Sequence, residues 1–428
     1  MRHLALVVVL AALALGGCPG PKRPTPLVQS VVLEIGRADG SLRGVAGDGT
    51  TTFAAVTTGA ATVIEARRGS AIAWSRPLAG GGGPLAFGHS TVAVTLAGSG
   101  TVADVAMRGD PGAVAVALDA ATGAPRWTLA IDSSEWSLIS SIAPTTDGFL
   151  VGGSFSGTLR ATSKIVSSAG KSDGFVALIK ATGEVVWLVR MGGANSDAVQ
   201  GVAALGDRIV VAGSFGPGAE ILGEPLASYD DKTPKTDVFV TELTRAGTRV
   251  WASHFGGALD DAVAGIAIDG KGRIAVASTA REKLRINLAD ITAQGPADGL
   301  VTYFAKDGTP GPTVVLAGPD FDGIRAITAT ADRMVVAGFY TGSVVVGRQP
   351  LTSTGGDDAY LAALDGGTVT KVWPIAGAGR EEITALAPIP GGFIAGLAHT
   401  ATASIDGTAL PAPAEPLSGA ALIVRPDR

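Results

Sequence analysis

Five of the six tryptophans in this 428-residue chain keep a regular spacing. They follow one another at intervals of 53, 60, 64 and 122 residues, and the last interval equals two periods of 61; the five are Trp74, Trp127, Trp187, Trp251 and Trp373. One copy has lost its tryptophan, and Pro312 occupies the corresponding place. A period of this length is typical of proteins in which one supersecondary unit is repeated along the chain.

Each copy contains four short apolar runs, which are bounded by Gly, Asp, Thr and Pro. The clearest copies begin at Asp173 and Asp237. This pattern predicts four strands at hairpin spacing. Runs such as 209–212 and 334–337 are apolar at consecutive positions, so both faces of the strand are expected to be buried. The blades of a β-propeller are packed between two neighbours and require this pattern.

The two ends of the chain together supply one more copy. Residues 31–57 match the second to fourth strands of a copy, and Gly419–Arg425 matches the missing first strand. The sequence therefore predicts an all-β, seven-bladed β-propeller that is closed by pairing of N- and C-terminal strands. The predicted blades are 27–58 plus 417–428, 59–111, 112–172, 173–236, 237–297, 298–357 and 358–416.

The repeat resembles a known bacterial family. Its pattern has Asp before a Phe-Val strand, Trp after a glycine turn, a Gly-Gly pair, a further Asp and a Val-Ala-Gly-Ser-Phe ending, as in residues 173–215. These features resemble the SBBP-type β-propeller repeats of secreted bacterial proteins. The resemblance implies the architecture and no single activity.

A second resemblance is confined to Ala117–Trp127. This segment is similar to the Ala-x-Asp-x-x-Thr-Gly-x-x-x-Trp repeat of quinoprotein dehydrogenases and of the propeller lipoprotein in the outer-membrane protein assembly machine. In that repeat the residues tie one blade to the next and bind no cofactor. We therefore expect a structural role for them here, and no cofactor.

The first residues look like an export signal. Arg2 is followed by the apolar run Leu4–Leu15 and by Leu15-Gly16-Gly17-Cys18. The segment resembles a bacterial lipoprotein signal peptide, which implies cleavage after residue 17 and attachment of lipid, including palmitate, to Cys18. Residues 18–26 form a Pro-rich tether. Because Pro19 stands where the family's inner-membrane retention signal has Asp, the expected location is the outer membrane, on its periplasmic side or at the cell surface.

Four acidic residues occupy equivalent loop positions in successive copies: Asp197, Asp261, Asp322 and Glu382. Arranged around a ring, they are a candidate site for Ca²⁺ or a cationic ligand, because hard cations take oxygen ligands. The other interpretation is that each carboxylate accepts N–H groups of its own loop. Of the four histidines, His3 lies in the predicted signal peptide. His89, His254 and His399 lie in different copies without metal-ligand spacing, so no metal site of the zinc type is predicted.

These features favour a binding protein over an enzyme. The net charge of −5 excludes a nucleic-acid footprint, and no catalytic motif is present. We expect a monomeric, non-enzymatic platform, attached to the membrane by its N-terminal lipid, that binds a protein or glycan partner. The alternative is a role in outer-membrane protein assembly, which co-purification of assembly components would reveal. A propeller enzyme would need acids from several blades around one pocket.

Overall fold

The computed structural model describes residues 31–35, 41–230, 235–410 and 418–424, and for the first and last of these ranges only the backbone. The predicted signal peptide, the tether and Cys18 lie outside the described residues. In the part of the chain that is described, no helix has the length and apolar character needed to cross a bilayer.

The described chain is built from β-strands, numbered here in chain order. They are β1 (Val31–Ile35), β2 (Ser41–Gly47), β3 (Thr52–Thr58), β4 (Ala61–Arg68), β5 (Ala71–Ala79), β6 (Gly81–Gly88), β7 (Thr91–Gly98), β8 (Thr101–Val102), β9 (Val105–Ala106), β10 (Gly112–Asp119), β11 (Pro125–Ser133), β12 (Trp136–Pro144), β13 (Gly148–Ser156), β14 (Thr158–Ala161), β15 (Lys164–Ser167), β16 (Asp173–Lys180), β17 (Val185–Met191), β18 (Ala198–Leu205), β19 (Arg208–Phe215), β20 (Glu220–Ile221), β21 (Glu224–Pro225), β22 (Asp237–Leu243), β23 (Arg249–Gly257), β24 (Ala262–Ile268), β25 (Ile274–Ala280), β26 (Lys283–Ile286), β27 (Ala289–Thr292), β28 (Asp298–Phe304), β29 (Pro310–Leu316), β30 (Asp322–Ala329), β31 (Met334–Tyr340), β32 (Ser343–Val346), β33 (Gln349–Thr352), β34 (Asp358–Asp365), β35 (Thr368–Gly377), β36 (Glu381–Ile389), β37 (Gly392–His399), β38 (Ala403–Ile405), β39 (Thr408–Ala409) and β40 (Ser418–Val424).

These strands form antiparallel sheets of the propeller type, which confirms the all-β propeller. Six blades are each built from one continuous segment of chain, and their strand orders from the centre outward are β2-β3-β4-β5, β6-β7-β10-β11, β12-β13-β16-β17, β18-β19-β22-β23, β24-β25-β28-β29 and β30-β31-β34-β35. Hairpins extend three of them: β14–β15 joins the second blade, β26–β27 the fourth and β38–β39 the sixth.

The fold-class prediction of seven blades, with one divided between 27–58 and 417–428, was wrong. The structure has six blades, and each of them is formed by one continuous segment of chain. Strands β2 and β3, which were assigned to the divided blade, belong to the first of these six. The predicted boundaries are displaced by two strands throughout. The copy that starts at Asp173 supplies β16 and β17 to one sheet and β18 and β19 to the next. The physical reason is that a sequence repeat gives the length of one unit but not the strand at which one sheet ends and the next begins. The same Gly and Asp residues mark both hairpin turns and crossings between sheets.

One further sheet combines both ends of the chain. Its order is β36-β37-β40-β1, so three strands come from the C-terminal side and one from the N-terminal side. Strand β40 pairs with β37 on one edge and with β1 on the other. The inner strand β36 also contacts β2 of the first blade, and the inner strands thereby form a closed circle.

Adjacent blades are joined by a tryptophan that lies against a glycine turn. The indole N–H groups of Trp74, Trp127 and Trp187 each donate to a carbonyl oxygen in the outer turn of the next blade, at 2.9 Å in all three cases; the acceptors belong to Ala120, Ala181 and Arg245. The indole ring covers the glycine of that turn. This geometry gives the Thr-Gly-x-x-x-Trp pattern the structural role that the sequence predicted.

The turn glycines fit because they have no side chain. Gly183 has a φ of +89°, and a Cβ there would lie 2.8 Å from Cγ of Trp127. A Cβ on Gly308 would likewise lie 2.4 Å from an atom of the Trp251 indole ring. In the next interface, a Cβ on Gly367 would lie 2.8 Å from Cβ of Pro312, so Pro312 does occupy the place of the missing tryptophan.

We predict that Gly183→Ala destabilises the protein more than Gly206→Ala. Gly206 has a φ of +59°, and no heavy atom lies within 4 Å of the position that a Cβ would take, so it reports the backbone cost alone, about 1 kcal/mol. Gly183→Ala adds overpacking against Trp127, which costs about 1–3 kcal/mol more. Urea unfolding of both variants measures the difference. Equal losses would show that the contact between turn and indole does not limit the packing of the blades.

Candidate functional site

Every inner strand carries a β-bulge near its start. The register against the second strand of the sheet shifts once in each case. A bulge pushes an unpaired residue out of the ladder. The residues placed in this way are Arg43, Gly83 with Pro84, Ser140, Gln200, Ala264, Arg325 and Thr384. We call this set the bulge ring.

The bulge ring surrounds one end of a central cavity of about 400 Å³. Below the ring the walls consist mainly of small or apolar residues of the inner strands, such as Ala46, Ala143 and Ala329. The cavity therefore has a polar mouth and an apolar interior. That combination is typical of ligand sites, in which a few polar groups orient a ligand within an apolar enclosure.

Two guanidinium groups and an amide dominate the mouth. Arg43 is exposed, and within the described residues its guanidinium makes no ion pair. The guanidinium of Arg325 lies 4.3 Å from the ring centroid of Phe339, and its Nε is 3.7 Å from Oε1 of Glu382. The Gln200 amide donates to Ser214 Oγ and accepts from Ser214 N, both at 2.8 Å, so the amide is held in a fixed orientation.

The sequence did not identify the bulge ring as a candidate site. The sequence does contain a pattern that could have indicated these positions, because Gln200 and Arg325 are polar residues inside otherwise apolar inner-strand runs. A polar residue that interrupts such a run indicates a position turned away from the packed interface.

The predicted acidic residues lie elsewhere, in the interfaces between sheets. Asp197, Asp261 and Asp322 are 2%, 1% and 0% exposed. Each follows the end of one outer strand and precedes or begins the inner strand of the next blade. Each also lies near a second buried acid at the start of the third strand, so the pairs are Asp173–Asp197, Asp237–Asp261 and Asp298–Asp322.

Glu382 is not the structural equivalent of these aspartates. The bulge of β36 falls between Ile383 and Ala385, which places Glu381 in the corresponding position. Glu381 is 0% exposed and forms a fourth pair with Asp358. The Glu382 side chain is 33% exposed and forms ion pairs with Arg325 and Arg380. The expected equivalence failed because this copy is one residue shorter than the others.

The first pair is fully bonded. Asp197 accepts the N–H groups of Gly193 at 2.6 Å and Gly216 at 2.8 Å. Asp173 accepts a hydrogen bond from the Arg190 guanidinium at 2.9 Å, and a second one from the Ala169 amide. Asp197 thus accepts one N–H group of its own loop, from Gly193, and one from the loop after β19, from Gly216.

Burial raises the pKa of the second acid in every pair. Desolvation is the largest cause for all four, and the pKa is raised to about 6 for Asp197, 7 for Asp322 and 8 for both Asp261 and Glu381. The partner carboxylate adds to the rise. Amides of Gly257, Gly318 and Gly377 oppose it, although none completes a hydrogen bond of ordinary geometry with the acid beside it.

The three histidines of the described chain lie apart from one another. His89 Nε2 lies 2.9 Å from the carbonyl oxygen of Thr145, and His399 Nδ1 lies 2.8 Å from that of Ala401. His254 lies on β23, with its ring edge-on to Phe215. Among the described residues, no three His, Cys, Asp or Glu side chains are grouped as metal ligands.

No protein-family model and no curated protein sequence matches this chain. Solved structures similar to it include BamB from Moraxella catarrhalis, with 14% identity and a TM-score of 0.42 over 93% of this chain and 99% of that chain. Quinohemoprotein alcohol dehydrogenase from Comamonas testosteroni has 13% identity and a TM-score of 0.41, over 94% and 77%. The WD40 domain of Toxoplasma gondii coronin has 12% identity and a TM-score of 0.45, over 93% of this chain and 87% of that chain. Likenesses this distant carry no argument about function.

The buried acids predict that stability falls as the pH rises. A carboxyl group with a pKa raised to about 7 or 8 when folded, against about 4 when unfolded, keeps a proton that the unfolded chain releases. The free energy of unfolding should therefore decrease between about pH 5 and 8, by about 1 kcal/mol per pH unit for each such group.

Urea unfolding in the presence of a chelator, at several pH values, measures this slope. Asp322→Asn should make the slope shallower by the share of one group, because the amide needs no proton, while Asp261 and Glu381 still contribute. Glu184→Gln, at an exposed side chain that pairs with Lys180, is the matched control and should leave the slope unchanged. A wild-type slope of zero across this range would contradict the raised pKa values.

Proposed function

We propose that this chain is a non-enzymatic, lipid-anchored protein of the bacterial envelope that uses the mouth of its central cavity to bind a protein or glycan partner. The observation that carries the proposal is the bulge ring. It brings two guanidinium groups, an amide and hydroxyl groups from separate blades to one opening. Guanidinium, amide and hydroxyl groups are suited to recognition by hydrogen bonding, and the closed ring of blades fixes their positions.

The proposed anchor is Cys18. The apolar run, the small residues before the cysteine and the Pro-rich segment after it support cleavage and lipid attachment at this residue. We propose the outer membrane as the location. A stiff tether of residues 18–26 would hold the ring of blades away from the membrane surface, where both faces are accessible to a partner.

Anchoring is tested by fractionating cells that express the wild type or Cys18→Ser. The wild type should sediment with membranes and incorporate a palmitate analogue. Cys18→Ser should lose the label and keep its signal peptide, so that a larger, unprocessed chain is seen on an immunoblot. A variant that is labelled and processed like the wild type would exclude lipid attachment at Cys18.

Binding is tested with a photo-crosslinking residue placed at exposed Ser140 in native cells, followed by mass spectrometry. We expect a discrete adduct from Ser140, weakened by Arg43→Glu, because Arg43 is exposed at the same mouth. The same crosslinker at Asp207, in the turn at the opposite end of the inner strand β18, is the matched control. Adducts at Asp207 alone would contradict the assignment of the mouth. Capture of outer-membrane assembly components would favour the alternative function.

A further inference from the structure

The four buried acid pairs occupy the same place in successive interfaces, but they differ in positive charge. In the first pair, Arg190 supplies a guanidinium 2.9 Å from Asp173. Arg190 lies opposite Phe175 in the ladder between the third and fourth strands. The residues at the equivalent register in the later copies are His254, Val315 and Pro374. The last two pairs therefore have no cationic side chain at this position.

The loss of the guanidinium coincides with carboxylate oxygens that have no partner. In the described chain no N–H or O–H group donates a hydrogen bond of ordinary geometry to either oxygen of Asp322 or of Glu381, nor to Oδ1 of Asp298 and of Asp358. The carboxyl groups of Glu381 and Asp358 lie close enough to share one proton between them. All four side chains are 0% exposed. The other oxygen of Asp298 accepts the Gln294 amide, and that of Asp358 accepts the Thr354 amide at 3.0 Å. Asp173 and Asp197 of the first pair have no such unpartnered oxygen.

A buried carboxylate without a partner costs free energy, and two of them side by side cost more. Either a proton or a cation must compensate the charge. The second pair also has two unpartnered oxygens, both on Asp261, but it differs from the last two because the positive charge of Arg281 acts on that residue. The Asp298–Asp322 and Asp358–Glu381 pairs have no such neighbour among the groups that act on them in the described chain.

Main-chain oxygens complete the surroundings of these two pairs. A Cβ on Gly318 would lie 2.7 Å from Oδ2 of Asp322 and also beside the carbonyl oxygen of Ser343. A Cβ on Gly377 would lie 2.6 Å from Oε1 of Glu381 and 2.5 Å from the carbonyl oxygen of Thr402. Carboxylate and carbonyl oxygens together are the ligand set that Ca²⁺ prefers.

We propose that the Asp298–Asp322 and Asp358–Glu381 pairs each bind a Ca²⁺ ion between adjacent sheets, in the place that the Arg190 guanidinium takes in the first interface. These sites are separate from the mouth of the cavity and do not depend on the proposed function. They also differ from the ring suggested by the sequence, because each ion would be held within one interface. The ion replaces the proton of the pair, so binding strengthens as the pH rises.

The test uses the whole chain, refolded after chelation with or without added Ca²⁺. Isothermal titration with Ca²⁺ alone should give two ions bound per chain, and the midpoint of thermal unfolding should rise by several degrees at pH 8 and by less at pH 5.5. Val315→Arg, which restores a guanidinium at the Asp298–Asp322 pair, should bind one ion. Asp322→Asn should also bind one.

Asp197→Asn is the matched control, because its pair already has Arg190, and it should still bind two ions. If Val315→Arg does not fold, the nearly isosteric Asp322→Asn decides alone. Absence of Ca²⁺ binding to the wild type would overturn the proposal and leave protons as the compensating charge. An equal rise in the unfolding midpoint with NaCl at matched ionic strength would overturn it as well, since this would show charge screening only.

Discussion

The contact between an indole ring and the glycine turn of the following blade sets the distance between adjacent sheets. The turn approaches the ring closely because Gly183 and Gly308 have no side chain there. The indole N–H donates to the same turn in the first three interfaces, so the contact has a fixed orientation as well as a large apolar area. Each sheet is thereby buried on two faces, and strands such as β19 and β31 are apolar at successive positions for this reason.

The packing of the blades in a ring determines which side chains of the inner strands lie at the central opening. Because every inner strand has its bulge near the same end, residues from separate blades are brought to one opening. The interfaces place a second set of groups together, which are the buried acid pairs. The first pair has a guanidinium and complete hydrogen bonding, whereas the later pairs keep unpartnered oxygens. The repeat therefore keeps one geometry while its local charge changes from copy to copy.

The sequence was sufficient for the strand content, the propeller class and the structural role of the Trp and Gly turns, because these depend on local composition and on a period. It was also sufficient for the substitution of Pro312 in the place of a tryptophan. The assignment of strands to sheets could not be predicted from the sequence. The copy that starts at Asp173 has the same pattern whether its four strands belong to one sheet or are divided between two. Hydrogen bonding between sequence-distant strands, such as β1 with β40, decides that assignment.

For the site residues, too, the repeat predicted some features, and others depend on strand pairing. Repetition located Asp197, Asp261 and Asp322 correctly as equivalent positions, but a shortened loop displaced the fourth member from Glu382 to Glu381. Their acidic partners and the bulge ring depend on register between strands, which a period in sequence does not specify.

The central claim is that the sheets form one closed ring in which β40 joins both ends of the chain. Calorimetric unfolding of a chain that lacks residues 418–428 tests it most directly. The full chain should unfold in one cooperative transition, and the shortened chain should lose that transition, because β37 and β1 would lose their shared neighbour. An unchanged transition temperature and enthalpy in the shortened chain would contradict the claim.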